Sequence, residues 1–204
     1  MRFKRSVANP RRPTGSVRTS RRASPASSRA WELSLFSLLD TERLGQALGS
    51  ALQGGETLAL YGPLGVGKTA FVRGVVAGLG ASQEDVSSPT FVLIHEYRGR
   101  LPLAHIDLYR LNSLREIESI GLEEYLSGPM VTAIEWADKA RAMLPEDRLE
   151  IELRHRSVKS RSITLMATGP LSATLLARAR RSHGHPSKLP RSRRADSPKG
   201  KKSS

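Results

Sequence analysis

Apolar and polar residues in the middle of the chain form short blocks whose period changes repeatedly. Strand-like runs are predicted at 31–36, 57–61, 91–97, 103–108, 130–135, 149–153 and 162–167, and the last two are expected to pair as a hairpin. Helix-like runs are predicted at 41–52, 68–79, 113–120, 122–126 and 170–181. Strands that alternate with helices predict an α/β domain with a mostly parallel sheet, whose ligands bind beyond the carboxyl ends of the strands.

The stretch between the second predicted strand and the second predicted helix has the pattern of a phosphate-binding loop. Residues 62–69 read Gly-Pro-Leu-Gly-Val-Gly-Lys-Thr and match G-x-x-x-x-G-K-[ST] at each fixed position. The glycines allow backbone N–H groups to point at phosphate oxygens, and the positive end of the following helix adds to the attraction. Lys68 is expected to reach the β- and γ-phosphates, and Thr69 to offer its hydroxyl to Mg²⁺.

Two carboxylates stand at predicted strand ends, where they can meet this loop. Glu135 closes an apolar strand, the position from which P-loop proteins hold Mg²⁺ opposite Thr69, although Asp is the usual residue there. Asp107 lies two residues after His105, so both face the same side of a strand. A carboxylate in an apolar strand needs a partner, either the Mg²⁺ shell or Arg110, and one of the two side chains is expected to orient or deprotonate the attacking water. For His105 a hydrogen-bonded core position is the favoured interpretation.

Several further positions keep alternative interpretations. Thr90, in the Ser-Ser-Pro-Thr segment 87–90, is either a sensor of the γ-phosphate or part of an ordinary turn. Trp136 packs beside the nucleotide, faces a partner or belongs to the core. Lys159 and Arg161 lie in the late loop, where a solvated turn is favoured over contact with the nucleotide.

Composition separates the ends of the chain from its body. Residues 1–30 carry nine Lys or Arg and no acid, and residues 176–204 carry ten with a single acid, so the net charge of +14 divides into about +18 on the ends and −4 on the body. The ends are rich in Ser, Arg and Pro, and we predict that 1–30 and 182–204 are disordered basic tails around a domain at 31–181. The tails are expected either to contact RNA phosphates or only to raise solubility.

Other classes of protein are excluded by simple absences. The sequence has no cysteine, which excludes disulfides and thiolate chemistry. It has no apolar run long enough for a membrane span, and the N-terminal segment lacks the apolar centre of a secretory signal. A cytoplasmic protein is the simplest interpretation, with an organelle transit peptide as the alternative for the Arg- and Ser-rich leader.

Five short motifs occur in one order along the chain. They are Gly62-Pro-Leu-Gly-Val-Gly-Lys-Thr69, Phe71-Val-Arg-Gly74, Ser88-Pro-Thr-Phe91, His105-Ile-Asp-Leu-Tyr-Arg110 and Ile134-Glu-Trp136. Together they resemble the TsaE (YjeE) family of bacterial P-loop ATPases, over roughly residues 33–181 and without the basic tails. Pro63 and Val66 stand where the family usually has Asp and Ala, both at variable positions of the loop.

The resemblance implies a three-layer αβα P-loop NTPase domain that binds ATP and Mg²⁺ and hydrolyses ATP weakly by itself. It implies a role in making threonylcarbamoyladenosine at position 37 of tRNAs that read codons beginning with A. In that role ATP turnover resets the TsaB–TsaD heterodimer, while TsaD carries the transfer chemistry. It further implies catalytic roles for Lys68, Thr90 and Asp107, with Mg²⁺ at Thr69 and Glu135. The implied nucleotide contacts are Gly62, Leu64, Gly65, Val66, Gly67, Lys68, Thr69, Ala70 and Trp136.

Two other function classes stay open from the sequence. A small-molecule kinase on the same scaffold usually carries an arginine-rich lid, and the acidic body has no arginine cluster beyond Arg154, Arg156 and Arg161. Phosphoryl transfer to small acceptors would distinguish such a kinase from an ATPase. A basic RNA-binding protein, in which the tails dominate, would lose its function when the tails are removed.

Overall fold

The computed structural model describes residues 29–82, 86–157 and 160–184. Within these ranges one sheet contains seven strands: β1 (Ala30–Leu35), β2 (Thr57–Tyr61), β3 (Ile94–Arg98), β4 (Pro102–Asp107), β5 (Val131–Glu135), β6 (Leu149–His155) and β7 (Arg161–Ala167). The helices are α1 (Leu38–Ala51), α2 (Lys68–Gly78), α3 (Leu114–Ser119), α4 (Leu122–Ser127) and α5 (Pro170–His183), with a 3-10 helix at Ala137–Ala140. Lys159 and almost all of both predicted tails lie outside the described residues.

The order of the strands across the sheet is β1-β7-β6-β2-β5-β4-β3. The four neighbours β6, β2, β5 and β4 are parallel, whereas β3 is antiparallel to β4, and β7 is antiparallel to both β6 and β1. The predicted α/β class with a mostly parallel sheet is therefore confirmed. The predicted hairpin is also present, as β6 and β7.

Helices cover both faces of this sheet. The buried side chains of β2 alternate between two apolar clusters: Leu58 and Leu60 pack with α1, α2 and α5, and Ala59 packs with α3, α4 and the 3-10 helix. A strand that is buried on both faces reads as a continuous apolar run, which is the pattern of β2 in the sequence. The fold has three layers, αβα, as expected.

The N-terminus of α1 lies close to the phosphate loop and is defined by its cap. Ser37 is the N-cap: its hydroxyl accepts from the N–H of Asp40 at 3.0 Å, and Asp40 accepts from the N–H of Phe36 at 3.1 Å. The Ser37 hydroxyl beside the carboxylate is the main cause that keeps the pKa of Asp40 below its usual value, and the N–H of Phe36 adds to the shift. The helix therefore starts at Leu38, three residues earlier than the apolar period indicates.

The apolar run at 91–97 differs from the prediction of a continuous strand, because β3 begins only at Ile94. Phe91 and Val92 are 80% and 67% exposed, and Leu93 has a left-handed backbone with a φ of 67°. The N–H of Leu93 donates to the carbonyl of Pro89 at 2.6 Å and closes a turn. This turn leaves the preceding polar segment free to reach the end of β4.

None of the helices in the described ranges combines the length and the apolar character that crossing a bilayer requires.

Candidate nucleotide-binding site

A cleft of about 320 Å³ opens at the carboxyl ends of β2, β5 and β4. The three strands are neighbours in the sheet, and Asp107 and Glu135 are directly paired across β4 and β5. The cleft thus lies where ligands bind in parallel α/β sheets, and its volume suits a small molecule. Its lining consists of Leu64, Gly65, Gly67, Lys68, Thr69, Ser88, Thr90, Asp107, Tyr109, Glu135 and Trp136.

The loop between β2 and α2 has a backbone that requires glycine. The φ angles of Gly62, Gly65 and Gly67 are 132°, 75° and 112°, in or near the left-handed region that side chains disfavour. A Cβ on Gly62 would meet the carbonyl oxygen of Leu153, whereas the space around Gly65 is open. Gly67 caps α2 without a side-chain hydrogen bond, so the first N–H groups of the helix are available to an anion. The loop therefore fits a phosphate chain.

The other loop positions in the expected contact set differ in how they face the cleft. Leu64 is exposed at its mouth, whereas Val66 and Ala70 are buried in the core. Val66 and Ala70 can therefore contribute only backbone groups to a bound ligand, and Val66 N–H already lies 3.4 Å from the carbonyl of Pro63.

The ammonium group of Lys68 lies inside the loop, and the residue is only 4% exposed. Its Nζ donates to the carbonyls of Gly62 at 2.7 Å and Pro63 at 3.0 Å, and it lies 3.8 Å from the centre of the Trp136 ring. Burial lowers the pKa of Lys68, and three nearby carboxylates oppose this shift: Glu135, Asp107 and Asp138. The charge is thus held by neutral groups that a phosphate oxygen can replace.

Glu135 brings together a hydroxyl and an imidazole. Its Oε1 accepts from Thr69 Oγ1 at 2.8 Å and lies 2.9 Å from His105 Nε2, and both Glu135 and His105 are buried. The described residues contain no cluster of three metal-binding side chains. A carboxylate and a hydroxyl nevertheless fit Mg²⁺, which usually takes only one or two protein oxygens and completes its shell with phosphates and water.

Asp107 accepts hydrogen bonds from the segment before β3 and from the residues that follow β4. Its Oδ2 accepts from Thr90 Oγ1 at 2.6 Å and from Ser88 Oγ, and its Oδ1 accepts from the N–H of Tyr109 at 2.9 Å. Of the two alternative partners considered for this carboxylate, Arg110 is not in contact with it, because the Arg110 guanidinium stacks on the ring of Phe91 at 3.9 Å.

Trp136 follows β5 with a φ of 59° and turns its ring into the cleft. The ring lies 5.1 Å from that of Tyr109, which forms part of the same wall. Tyr109 was not singled out as a site residue, and Ser88 was considered only as part of the segment that contains Thr90. Both belong to motifs that were read from the sequence, but only the fold shows that they line the cleft.

The environment of Arg161 differs from the solvated turn that was the favoured interpretation. It is the first residue of β7, it is partly buried, and its Nη1 donates to Thr41 Oγ1 at 3.2 Å. The guanidinium thereby lies beside the N-terminus of α1. The companion prediction for Lys159 falls outside the described residues.

Comparison with known proteins gives a consistent result. A family model described as "Threonylcarbamoyl adenosine biosynthesis protein TsaE" matches residues 36–163. The chain is 44% identical over 126 residues to the tRNA threonylcarbamoyladenosine biosynthesis protein TsaE of Treponema pallidum, covering 62% of this chain and 93% of that protein. It is 40% identical over 131 residues to the protein of the same name from Bacillus subtilis, covering 64% and 81%. The crystal structure of Bacillus subtilis YdiB matches with a TM-score of 0.64 and 31% identity, over 75% of this chain and 95% of that one.

Proposed function

The chain belongs to the TsaE family, and we propose that it is a magnesium-dependent ATPase serving the threonylcarbamoylation of adenosine 37 in tRNAs that read codons beginning with A. The family is named for the biosynthesis of this modified nucleoside. The observation that carries the proposal is the meeting of Lys68, Thr69, Asp107 and Glu135 in one cleft at the end of the parallel strands. A cytoplasmic location belongs to the same proposal.

The residues of the loop and of the first turn of α2 bind the phosphates in this proposal. Backbone N–H groups from 62–70 surround the phosphate chain, and Lys68 exchanges the carbonyls of Gly62 and Pro63 for the β- and γ-phosphates. A phosphate oxygen is a stronger partner for an ammonium than a neutral carbonyl, which favours the exchange. Trp136 remains beside the nucleotide as one wall.

Thr69 and Glu135 are the proposed magnesium ligands, because their oxygens already lie 2.8 Å apart at the bottom of the cleft. The ion, when bound, would neutralise the charge of the β- and γ-phosphates. The Thr69 hydroxyl would hold the ion through an oxygen lone pair, so its proton could still be donated to Glu135. His105 keeps Glu135 oriented throughout.

The contacts of Asp107 support a low activity of the isolated protein. Asp107 is the proposed group that orients the attacking water, but its oxygens accept from Ser88, Thr90 and the N–H of Tyr109. The two hydroxyl groups occupy Oδ2 and compete there with a water molecule for the carboxylate. A partner that moves the 88–93 segment would therefore raise the rate, and we propose that this partner is the TsaB–TsaD heterodimer.

The proposal is tested by measuring phosphate release from Mg-ATP with and without TsaB–TsaD. We expect slow release by the protein alone and a clear increase with the heterodimer. Lys68→Ala and Glu135→Ala should abolish the increase and should remove threonylcarbamoyladenosine from the tRNA of cells that depend on this protein. Glu123→Ala is the matched control, since Glu123 is an exposed carboxylate on α4 away from the cleft. Normal levels of the modified nucleoside in the Lys68 variant would contradict the proposal.

A further inference from the structure

Arg161 is a cation at the candidate site that the roles described so far do not use. It is the first residue of β7, and it pairs with His155, the last residue of β6. Because β7 runs antiparallel to β6, its first residue lies at the end of the sheet where the parallel strands have their carboxyl termini. The Arg161 side chain thus starts at the same end of the sheet as the phosphate loop.

From this end of the sheet the Arg161 side chain extends to the phosphate loop. Arg161 Nη1 lies 4.0 Å from the position that a Cβ on Gly67 would take. The same nitrogen donates to Thr41 Oγ1, and the buried Thr41 hydroxyl in turn donates to the carbonyl of Ser37 at 3.2 Å. The first turn of α1 therefore holds the guanidinium beside Gly67.

The guanidinium has no counter-ion within the part of the chain that the structure describes. None of the ion pairs found there includes Arg161, and its Nε is buried without a hydrogen-bond partner. Its neighbour Gly67 caps α2, whose N-terminus carries a partial positive charge. A cation at this place is unfavourable by itself and becomes favourable when an anion lies between it and the helix.

Arg161 approaches the loop from the side opposite to the acidic residues. The strand order places β6 and β7 on one side of β2, and β5 and β4 with Glu135 and Asp107 on the other. A nucleotide whose γ-phosphate lies beside Asp107 and Glu135 extends its remaining phosphates and its nucleoside away from them. On the basis of the proposed function, we propose that Arg161 binds the phosphate chain at its nucleoside end, through the α-phosphate.

This role is tested in the full chain with Arg161→Gln and Arg161→Lys, using titration calorimetry with Mg-ATP and Mg-ADP. Both nucleotides carry an α-phosphate, so Arg161→Gln should raise both dissociation constants by the same factor, about tenfold to hundredfold, which is the size expected for a charged hydrogen bond. Arg161→Lys keeps the charge but loses the fork of donors, and it should lie between the wild type and the Gln variant.

Two controls separate binding from folding and from general charge. Thr41→Val removes the hydrogen bond to Arg161 but keeps the guanidinium, so it should weaken nucleotide binding much less than Arg161→Gln does. Arg154→Gln removes an exposed guanidinium that pairs with Glu152 on β6 and should leave both dissociation constants unchanged. The melting temperature without nucleotide checks that each variant is folded.

Three results would overturn the assignment of Arg161. They are unchanged binding by Arg161→Gln, a loss confined to ATP, which would indicate contact with the γ-phosphate, and an equal loss in Thr41→Val, which would indicate a purely structural role. A wild-type chain that binds neither nucleotide would instead contradict the proposed function. The two failures are therefore distinguishable.

Discussion

At the scale of single residues, Oε1 of Glu135 is the atom that links the phosphate loop to the neighbouring strand. It accepts from Thr69 and lies beside the imidazole of His105, whose ring is completely buried. Thr69 would also serve the metal ion, whereas His105 contacts only the carboxylate and fixes its orientation. Groups that orient a metal ligand in this way commonly change the affinity for the metal tenfold to hundredfold.

Replacement of His105 by Leu is expected to raise the Mg²⁺ concentration needed for half-maximal ATP hydrolysis by about tenfold or more, because Glu135 loses its fixed orientation. His105→Gln keeps a donor near Nε2 and should recover part of the loss. The matched control is His95→Leu, since His95 is exposed and pairs with His105 across β3 and β4. An unchanged Mg²⁺ requirement in the Leu variant would show that His105 only fills space.

The sequence predicted the types of residue at the site better than their contacts. The loop motif and the two carboxylates at strand ends were readable because their spacing follows local backbone geometry. The contacts of Asp107 with Ser88 and Thr90, and of Arg161 with Thr41, join segments that are far apart in the chain. Such contacts depend on the strand order of the folded sheet, which no local pattern contains.

At the scale of elements, α1 and α2 approach each other along a seam of four glycines, Gly45, Gly49, Gly74 and Gly78. A Cβ at any of these positions would meet a backbone carbonyl of the opposite helix. The seam holds the N-terminus of α1, with Ser37 and Thr41, against the beginning of α2. The position of the phosphate loop therefore depends on this close contact.

Gly74→Ala is expected to lower the free energy of unfolding by about 1–3 kcal/mol, because its Cβ would collide with the carbonyl of Glu42 and force the helices apart. This cost opposes the intrinsic preference for Ala in a helix, about 1 kcal/mol. Gly128→Ala is the control, since the nearest atom to its Cβ lies at 3.4 Å. Urea unfolding measures both, and a Gly74 variant as stable as the wild type would refute the close packing.

The N-terminus of α5 is held by Asp147, which accepts from the N–H groups of Leu171 at 2.7 Å and Ser172 at 3.0 Å. Burial raises the pKa of Asp147, but the hydrogen bonds from Ser172 and Leu171 outweigh it, and the net shift is below the usual 3.8. A lowered pKa in the folded state means that the ionised form stabilises the fold above pH 3.8, and that this stability is lost as the pH falls through the lowered pKa.

Asp147→Asn should therefore destabilise the protein by about 1 kcal/mol near pH 7, since an N-terminal partner of the helix loses its charge. The difference from the wild type should shrink as the pH falls below 3.8. Thermal unfolding between pH 7 and pH 3 measures this. A difference that stays constant over the range would exclude the carboxylate as its cause.

The prediction of helices and strands was least accurate where apolar residues are not buried in the core. The run at 91–97 was read as one strand, but Phe91 and Val92 form an exposed turn before β3. Hydrophobic pattern cannot separate a buried strand from an exposed apolar turn when both are short. The 3-10 helix at Ala137–Ala140 was not predicted, because four residues are too few to display a period.

At the scale of the whole molecule, the two ends of the described domain meet on one side. The ring of Trp31 lies 5.3 Å from that of His183, and the guanidinium of Arg180 donates to the carbonyl of Ala30. Ala30 pairs with Met166, at the opposite end of β7 from Arg161. Both basic ends of the chain are therefore attached at the end of the sheet opposite to the candidate site.

Removal of residues 1–28 and 185–204 is accordingly expected to leave the dissociation constant for Mg-ATP within about twofold of that of the full chain. The removed segments hold most of the positive charge, so binding to tRNA should fall at least about tenfold at low salt and lose most of its dependence on salt. Calorimetry and filter binding measure the two quantities. Equal tRNA binding by both forms would mean that the basic ends serve solubility alone.

The structure of the protein bound to Mg²⁺ and a non-hydrolysable ATP analogue tests the proposed nucleotide-binding site most directly. We expect Lys68 Nζ to have left the carbonyls of Gly62 and Pro63 for the β- and γ-phosphates. We also expect Thr69 Oγ1 and Glu135 to hold the ion, directly or through water. A triphosphate bound away from Lys68, with Glu135 turned to solvent, would contradict the proposed nucleotide-binding site and with it the proposed function.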